Sequence, residues 1–173
     1  MASSAVESTI DIAFWFLNRA SAEDSYLQPH KLQRLLYLAQ GYYAQEHYGR
    51  KLMPATFVVH DLGPIEPNVF RLFEEGRPSI VFVAPPPEVE DFLERIWRRF
   101  NGHAVDRLNA MILEQPAYKT AVLAGEGEEI PFAAMQETFK IKEKEKAETT
   151  VRTADGRTVE KWIPTRSVRR RPQ

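Results

Sequence analysis

The 173-residue chain contains no cysteine. That absence excludes disulfides, thiolate zinc sites and cysteine nucleophiles together, and it is compatible with a reducing compartment. Histidine is scarce, with four copies. His30, His47, His60 and His103 have neither the helical pairing of a His-Glu-x-x-His motif nor a cysteine partner, so a metal site would have to be assembled entirely by the fold. Glycine numbers only eight, and no Gly-x-Ser-x-Gly elbow or phosphate-cradling loop occurs. The one glycine-rich stretch, Gly125-Glu126-Gly127-Glu128-Glu129, would repel a phosphate and reads as a loop. Long hydrophobic runs are also missing. The uncharged stretches fall short of the roughly 18 apolar residues a membrane span needs, and the opening MASSAVESTIDIAFWFLNRAS lacks the basic start of a signal peptide. A cytoplasmic protein is expected.

What is present suits one globular domain. The chain is 43% hydrophobic, enough to bury a core without covalent staples at this length. Its net charge of -1 conceals a split. Residues 1–139 hold 12 Lys and Arg against 19 Asp and Glu, a balance of -7, whereas residues 140–173 hold 11 against 5, a balance of +6. An acidic body carrying a basic extension is more often the mark of an interaction segment than of an enzyme.

Helical spacing dominates the body. Ile10, Ala13, Phe14 and Leu17 follow Ser8 and Thr9 as candidate N-caps. From Gln28-Pro29 a second helix carries a broad stripe of Leu32, Leu35, Leu36, Ala39, Tyr42 and Tyr43, with Lys31, Arg34 and Glu46 expected to face out. Gly49 marks its end. A short extended piece between Leu52 and Val59 leads to the turn chemistry of Asp61-Leu62-Gly63-Pro64. Pro67 then opens a helix running to Gly76. A brief extended stretch, Ile80 to Val83, precedes three prolines, after which Val89 to Phe100 and residues 103–113 again show helical periodicity. Residues Pro131 to Phe139 make a last short helix. The expected fold class is therefore mainly α: a compact domain of about six helices over residues 1–140, with short extended segments.

Residues 141–173 form a charged, net basic extension. The run Lys142-Glu143-Lys144-Glu145-Lys146 is either a solvated helix extension or a linker. Thr149 to Thr153 and Thr158 to Trp162 flank Ala154-Asp155-Gly156-Arg157, a pattern that predicts a β-hairpin. Trp162, with Arg169, Arg170 and Arg171, is the candidate partner-contact stretch, suited to an acidic protein surface or to nonspecific phosphate contact.

Catalytic candidates are few. Glu74-Glu75 and the group Glu88, Glu90, Asp91 and Glu94 sit where helix solubility and the helix dipole account for them. Tyr37, Tyr42, Tyr43 and Tyr48 suit a core edge better than a stacking platform for bases. No catalytic or metal residue, no cofactor and no membrane contact is expected.

The segment Pro29-His30-Lys31-Leu32-Gln33-Arg34-Leu35-Leu36-Tyr37-Leu38-Ala39-Gln40-Gly41-Tyr42-Tyr43 resembles the Lys-Leu-x-x-Leu-x-Tyr helix of the SocA-like (Panacea) antitoxin family. His60-Asp61-Leu62-Gly63-Pro64-Ile65-Glu66-Pro67-Asn68-Val69-Phe70 is similar to that family's Gly-Pro turn and the helix after it. Leu108 to Tyr118 resembles its helix followed by Glu-x-Pro and an aromatic residue. The three occur in the family's order and span roughly residues 8–140. This resemblance implies an antitoxin that neutralises a cognate toxin protein by direct contact, acting as an adaptor that presents the toxin to the ClpXP protease. It makes Lys31, Leu32, Leu35, Tyr37, Gly63 and Pro64 scaffold residues. The alternative is a DNA-binding repressor using the basic tail, against which stands the lack of a helix-turn-helix pattern with a basic recognition helix.

Overall fold

The structure, a computed structural model, describes residues 3–152 and 157–160. The chain divides into two units, Met1–Phe139 and Lys140–Gln173. Seven helices are present among the described residues.

In the first unit, helix α1 spans Thr9–Ala22, and the Ser8 hydroxyl accepts from the Ile10 amide, an N-cap that satisfies one of the donors left free at a helix start. Helix α2, Pro29–Glu46, begins with proline at its first position, where the missing amide costs nothing. Twelve of its 18 residues are buried, so it runs through the middle of the domain rather than over its surface. Helices α4 (Pro87–Phe100) and α5 (Val105–Leu113) pack against it, as does α1. The stripe Val89, Phe92, Leu93, Ile96, Trp97 and Phe100 is the buried face of α4. Each such side chain contributes roughly 1.5–3 kcal/mol when withdrawn from water. Glu88 and Glu90 lie in the first turn of α4 and Arg98 and Arg99 in its last, complementing the helix dipole at both ends.

Helix α3, Pro67–Leu72, is shorter than its sequence pattern predicts. Its N-cap is Glu66, whose buried carboxylate accepts from the Val69 amide at 2.7 Å. The extended piece expected between Leu52 and Val59 contains strand β1, Phe57–Val58. It pairs antiparallel with β2, Glu129–Ile130, with Phe57 opposite Ile130. The Gly125 to Glu129 loop feeds that pairing, since the Gly127 amide donates to Val59 O and the Val59 amide to Glu128 O.

Two expectations need correcting. Helix α6, Pro116–Ala124, is additional to the six expected. Its buried residues Ala117, Tyr118 and Ala121 are accompanied by exposed Val122 and Leu123, which blurs the apolar stripe in the sequence. Arg34, expected on the outer face of α2, is fully buried.

Helix α7, Phe132–Thr149, begins in the first unit and continues through the Lys142 to Lys146 run, so that segment is a helix extension. In the second unit β3, Thr150–Arg152, pairs antiparallel with β4, Thr158–Glu160, with Val151 opposite Val159. The strands of the expected hairpin are thus present, while residues 153–156 of its turn lie outside the described residues. No helix among the described residues is long and apolar enough to cross a membrane.

Candidate functional site

Gln33, Arg34 and Gln40 lie in the buried stretch of α2, where they cannot reach water and must find partners in the chain that wraps it. They find them in the segment between α2 and α3. Gln40 accepts from the Leu52 and Met53 amides through Oε1 and donates from Nε2 to Met53 O. Two helical turns earlier, Gln33 Oε1 accepts from the Glu66 amide at 2.8 Å. Between them, Arg34 reaches under the Asp61-Leu62-Gly63-Pro64 turn. Its Nη1 donates to Pro64 O at 2.6 Å and its Nε to Asn109 Oδ1, on α5, at 2.5 Å. Three side chains of one helix therefore hold the path of some fifteen residues, from Leu52 to Glu66.

Gly63 is required at this place for two reasons. Its φ of +104° lies where side chains are strained, and a Cβ would come within 2.6 Å of Arg34 Nη2. The Gly63 amide donates to His60 O, closing the turn, while His60 Nδ1 accepts from the Leu62 amide. From the other side Tyr118, on α6, donates its hydroxyl to His60 O at 3.2 Å. His60 and His30 both lie against Phe70, at ring separations of 5.4 and 6.3 Å.

The electrostatics follow from burial. Arg34 forms no ion pair among the described residues and is bound only by neutral oxygens. Burial pulls its guanidinium down to about 10, still charged at neutral pH. Its Nη2 has no hydrogen-bond partner among the described residues. His30 is lowered from its ordinary value first by burial and then by Arg34 and His60. Burial likewise pushes the Tyr37 and Tyr118 hydroxyls up, so both remain protonated. The turn is thus positioned by a buried cation, Arg34, by the protonated Tyr118 hydroxyl and by the ring nitrogen of His60.

The scaffold residues expected from sequence divide among these contacts. Leu32, Leu35 and Tyr37 are buried, Tyr37 standing edge-on to Phe57 and donating to Gln115 Oε1 at 3.3 Å. Lys31 is half-buried and donates from Nζ to the Asn101 carbonyl at the end of α4. Gly63 and Pro64 meet α2 through Arg34. The structure thus brings the Lys31 to Tyr37 helix and the Gly63-Pro64 turn together. Trp162, Arg169, Arg170 and Arg171 lie outside the described residues. Sequence reasoning missed Gln33, Arg34 and Gln40. The available signal was their position within a helix whose apolar stripe is too broad for one exposed face.

Among the described residues no group of three His, Asp or Glu side chains converges to hold a metal ion. The cleft beside the clamp, lined by Pro29, His30, Leu32, Gln33, Phe70, Phe73 and Glu74, measures about 170 Å³, below the roughly 300 Å³ at which small-molecule sites begin. Comparison of the chain with protein-family models, with curated proteins and with solved structures finds no match in any of the three.

Proposed function

We propose that this chain is an antitoxin, a protein-binding scaffold that holds a cognate toxin by direct contact and delivers it to the ClpXP protease. What supports the reading is that the two segments carrying the resemblance to SocA-like antitoxins, remote in sequence, are fastened into one structural unit by Gln33 and Arg34. The resemblance therefore rests on residues that share a structural task. Residues 1–139 and 140–173 carry net charges of opposite sign, as an adaptor that engages two proteins would use.

The test is expression of the chain and of the product of the gene encoded beside it, separately and together. Growth arrest by the neighbour alone, relieved by co-expression, is the expected outcome. Purified protein should then accelerate degradation of the neighbour by ClpXP while itself being spared. A neighbour that is harmless alone contradicts the antitoxin reading. A neighbour that is toxic and neutralised but not degraded faster contradicts only the adaptor step.

A further inference from the structure

The segment between α3 and α4 is held to α1 along one side and bare along the other. Arg77 donates to Asn18 Oδ1 and lies over the Phe14 ring. Phe82 stacks on Phe14 with ring centroids 5.1 Å apart, and the Val83 amide donates to Asp11 Oδ1 at 2.9 Å. Exposure then alternates as it does along a strand: Val81 is 97% exposed, Phe82 is half-buried and Val83 is 68% exposed, with Ile80 at 42%. No hydrogen bond among the described residues reaches a backbone N–H or C=O of Ile80, Val81 or Phe82. Four consecutive side chains, three of them β-branched and one aromatic, with no main-chain partner at Ile80, Val81 and Phe82 among the described residues, give an extended segment to which another strand can add.

We infer that Ile80 to Val83 is a docking edge for an extended segment of a partner protein whose apolar residues alternate with Lys or Arg. The apolar requirement comes from Val81 and Val83, and from the trough of about 230 Å³ beside them, lined by Ala5, Val6, Val83, Ala84, Pro85 and Pro86. The basic requirement comes from Glu7 and Asp11 in the same lining, neither of which is engaged in an ion pair among the described residues. The same two carboxylates decide against a second copy of this chain. Edge-to-edge pairing of two identical segments would bring like charges together, and like charges opposed across an interface cost affinity. A basic strand gains main-chain hydrogen bonds and charge complementarity at once. This inference rests on the reading of the chain as a protein-binding one, but not on the partner's being a toxin.

The probe is an acetylated, amidated hexapeptide alternating Lys and Val, titrated into the ¹⁵N-labelled full chain. Resonances of residues 80–83 should shift and their amides should exchange more slowly. Replacing Lys by Glu in the peptide, or N-methylating its alternate amides, should each weaken binding about tenfold or more, as should E7Q with D11N in the protein. The N-methylated peptide makes the main-chain test without altering the protein, and amides of α2 should stay protected throughout. The inference is overturned by unperturbed resonances at 80–83, by equal binding of the acidic or N-methylated peptide, or by light scattering that shows a dimer formed through this segment. Growth is not read out, so a failed peptide leaves the antitoxin result standing and a failed rescue leaves the peptide result standing.

Discussion

At the scale of single residues, the constraint that fixes the turn is the approach of Arg34 to Gly63. A methyl group at Gly63 would meet Nη2 at 2.6 Å in a backbone conformation of φ +104°. Gly63→Ala should cost about 2 to 4 kcal/mol, from backbone strain and overpacking together. Gly102, with open space around it, is the control, and Gly102→Ala should stay within about 0.5 kcal/mol. Urea midpoints compare the two, and equal midpoints would refute the clamp. Gly41 faces a similar limit, since a Cβ there would sit 2.2 Å from Phe139 Cε2. His30 contributes a pH dependence whose sign is fixed by its lowered folded value. The unfolded chain, near the ordinary 6.5, binds the proton more readily, so stability falls as pH drops through 6.5 and stops falling below the folded value. His30→Gln should flatten the change in urea midpoint between pH 7 and pH 5. An unchanged slope would place the effect elsewhere.

At the scale of elements, α1 and α4 are joined by Arg19, which pairs with Glu94 at 2.7 Å, while Glu94 also accepts from Arg98. The hydrogen bond from Arg19 is the main reason Glu94 is held down to about 2, against an ordinary 4.5. Its stabilisation is present above pH 4.5 and is lost as pH falls towards 2, a window below that of His30. Glu94→Gln should lessen the loss of stability in that lower window and leave the His30 window untouched, as thermal unfolding across pH 7 to 3 would record; a variant that loses as much stability below 4.5 as the unaltered chain would contradict the assignment. Much at this scale was legible in the sequence. Ser8, Pro29, Pro67 and the stripe from Val89 to Phe100 place four helices because cap, proline and 3.6-residue spacing are local signals. Helix α6 escaped because Val122 and Leu123, exposed, break its stripe, and Pro116 marks the end of one helix as well as the start of another. Arg34 escaped because burial of a charged side chain is decided by the turn that folds over it, thirty residues downstream. The candidate site was half legible: Gly63-Pro64 announces a turn, but nothing local says which helix the turn meets.

At the scale of the whole molecule, the buried core closes at Phe139 among the residues whose burial is described, and the change of charge sign falls beside it. A chain ending before Lys142 should therefore keep the folded body, with a melting temperature within a few degrees of the full chain and unchanged amide protection in α2. A body that unfolds on truncation would make the second unit part of the fold. If the proposed antitoxin reading holds, toxin binding should survive this truncation and delivery to a protease should be weakened, which pull-down and degradation of the neighbour by the truncated chain would record. The central claim is direct contact with a cognate toxin, and co-purification of the tagged full chain with the co-expressed neighbouring gene product tests it most directly. A stoichiometric complex that survives size-exclusion chromatography is the expected result; a toxic neighbour that elutes apart from this chain, with growth still rescued, would contradict it.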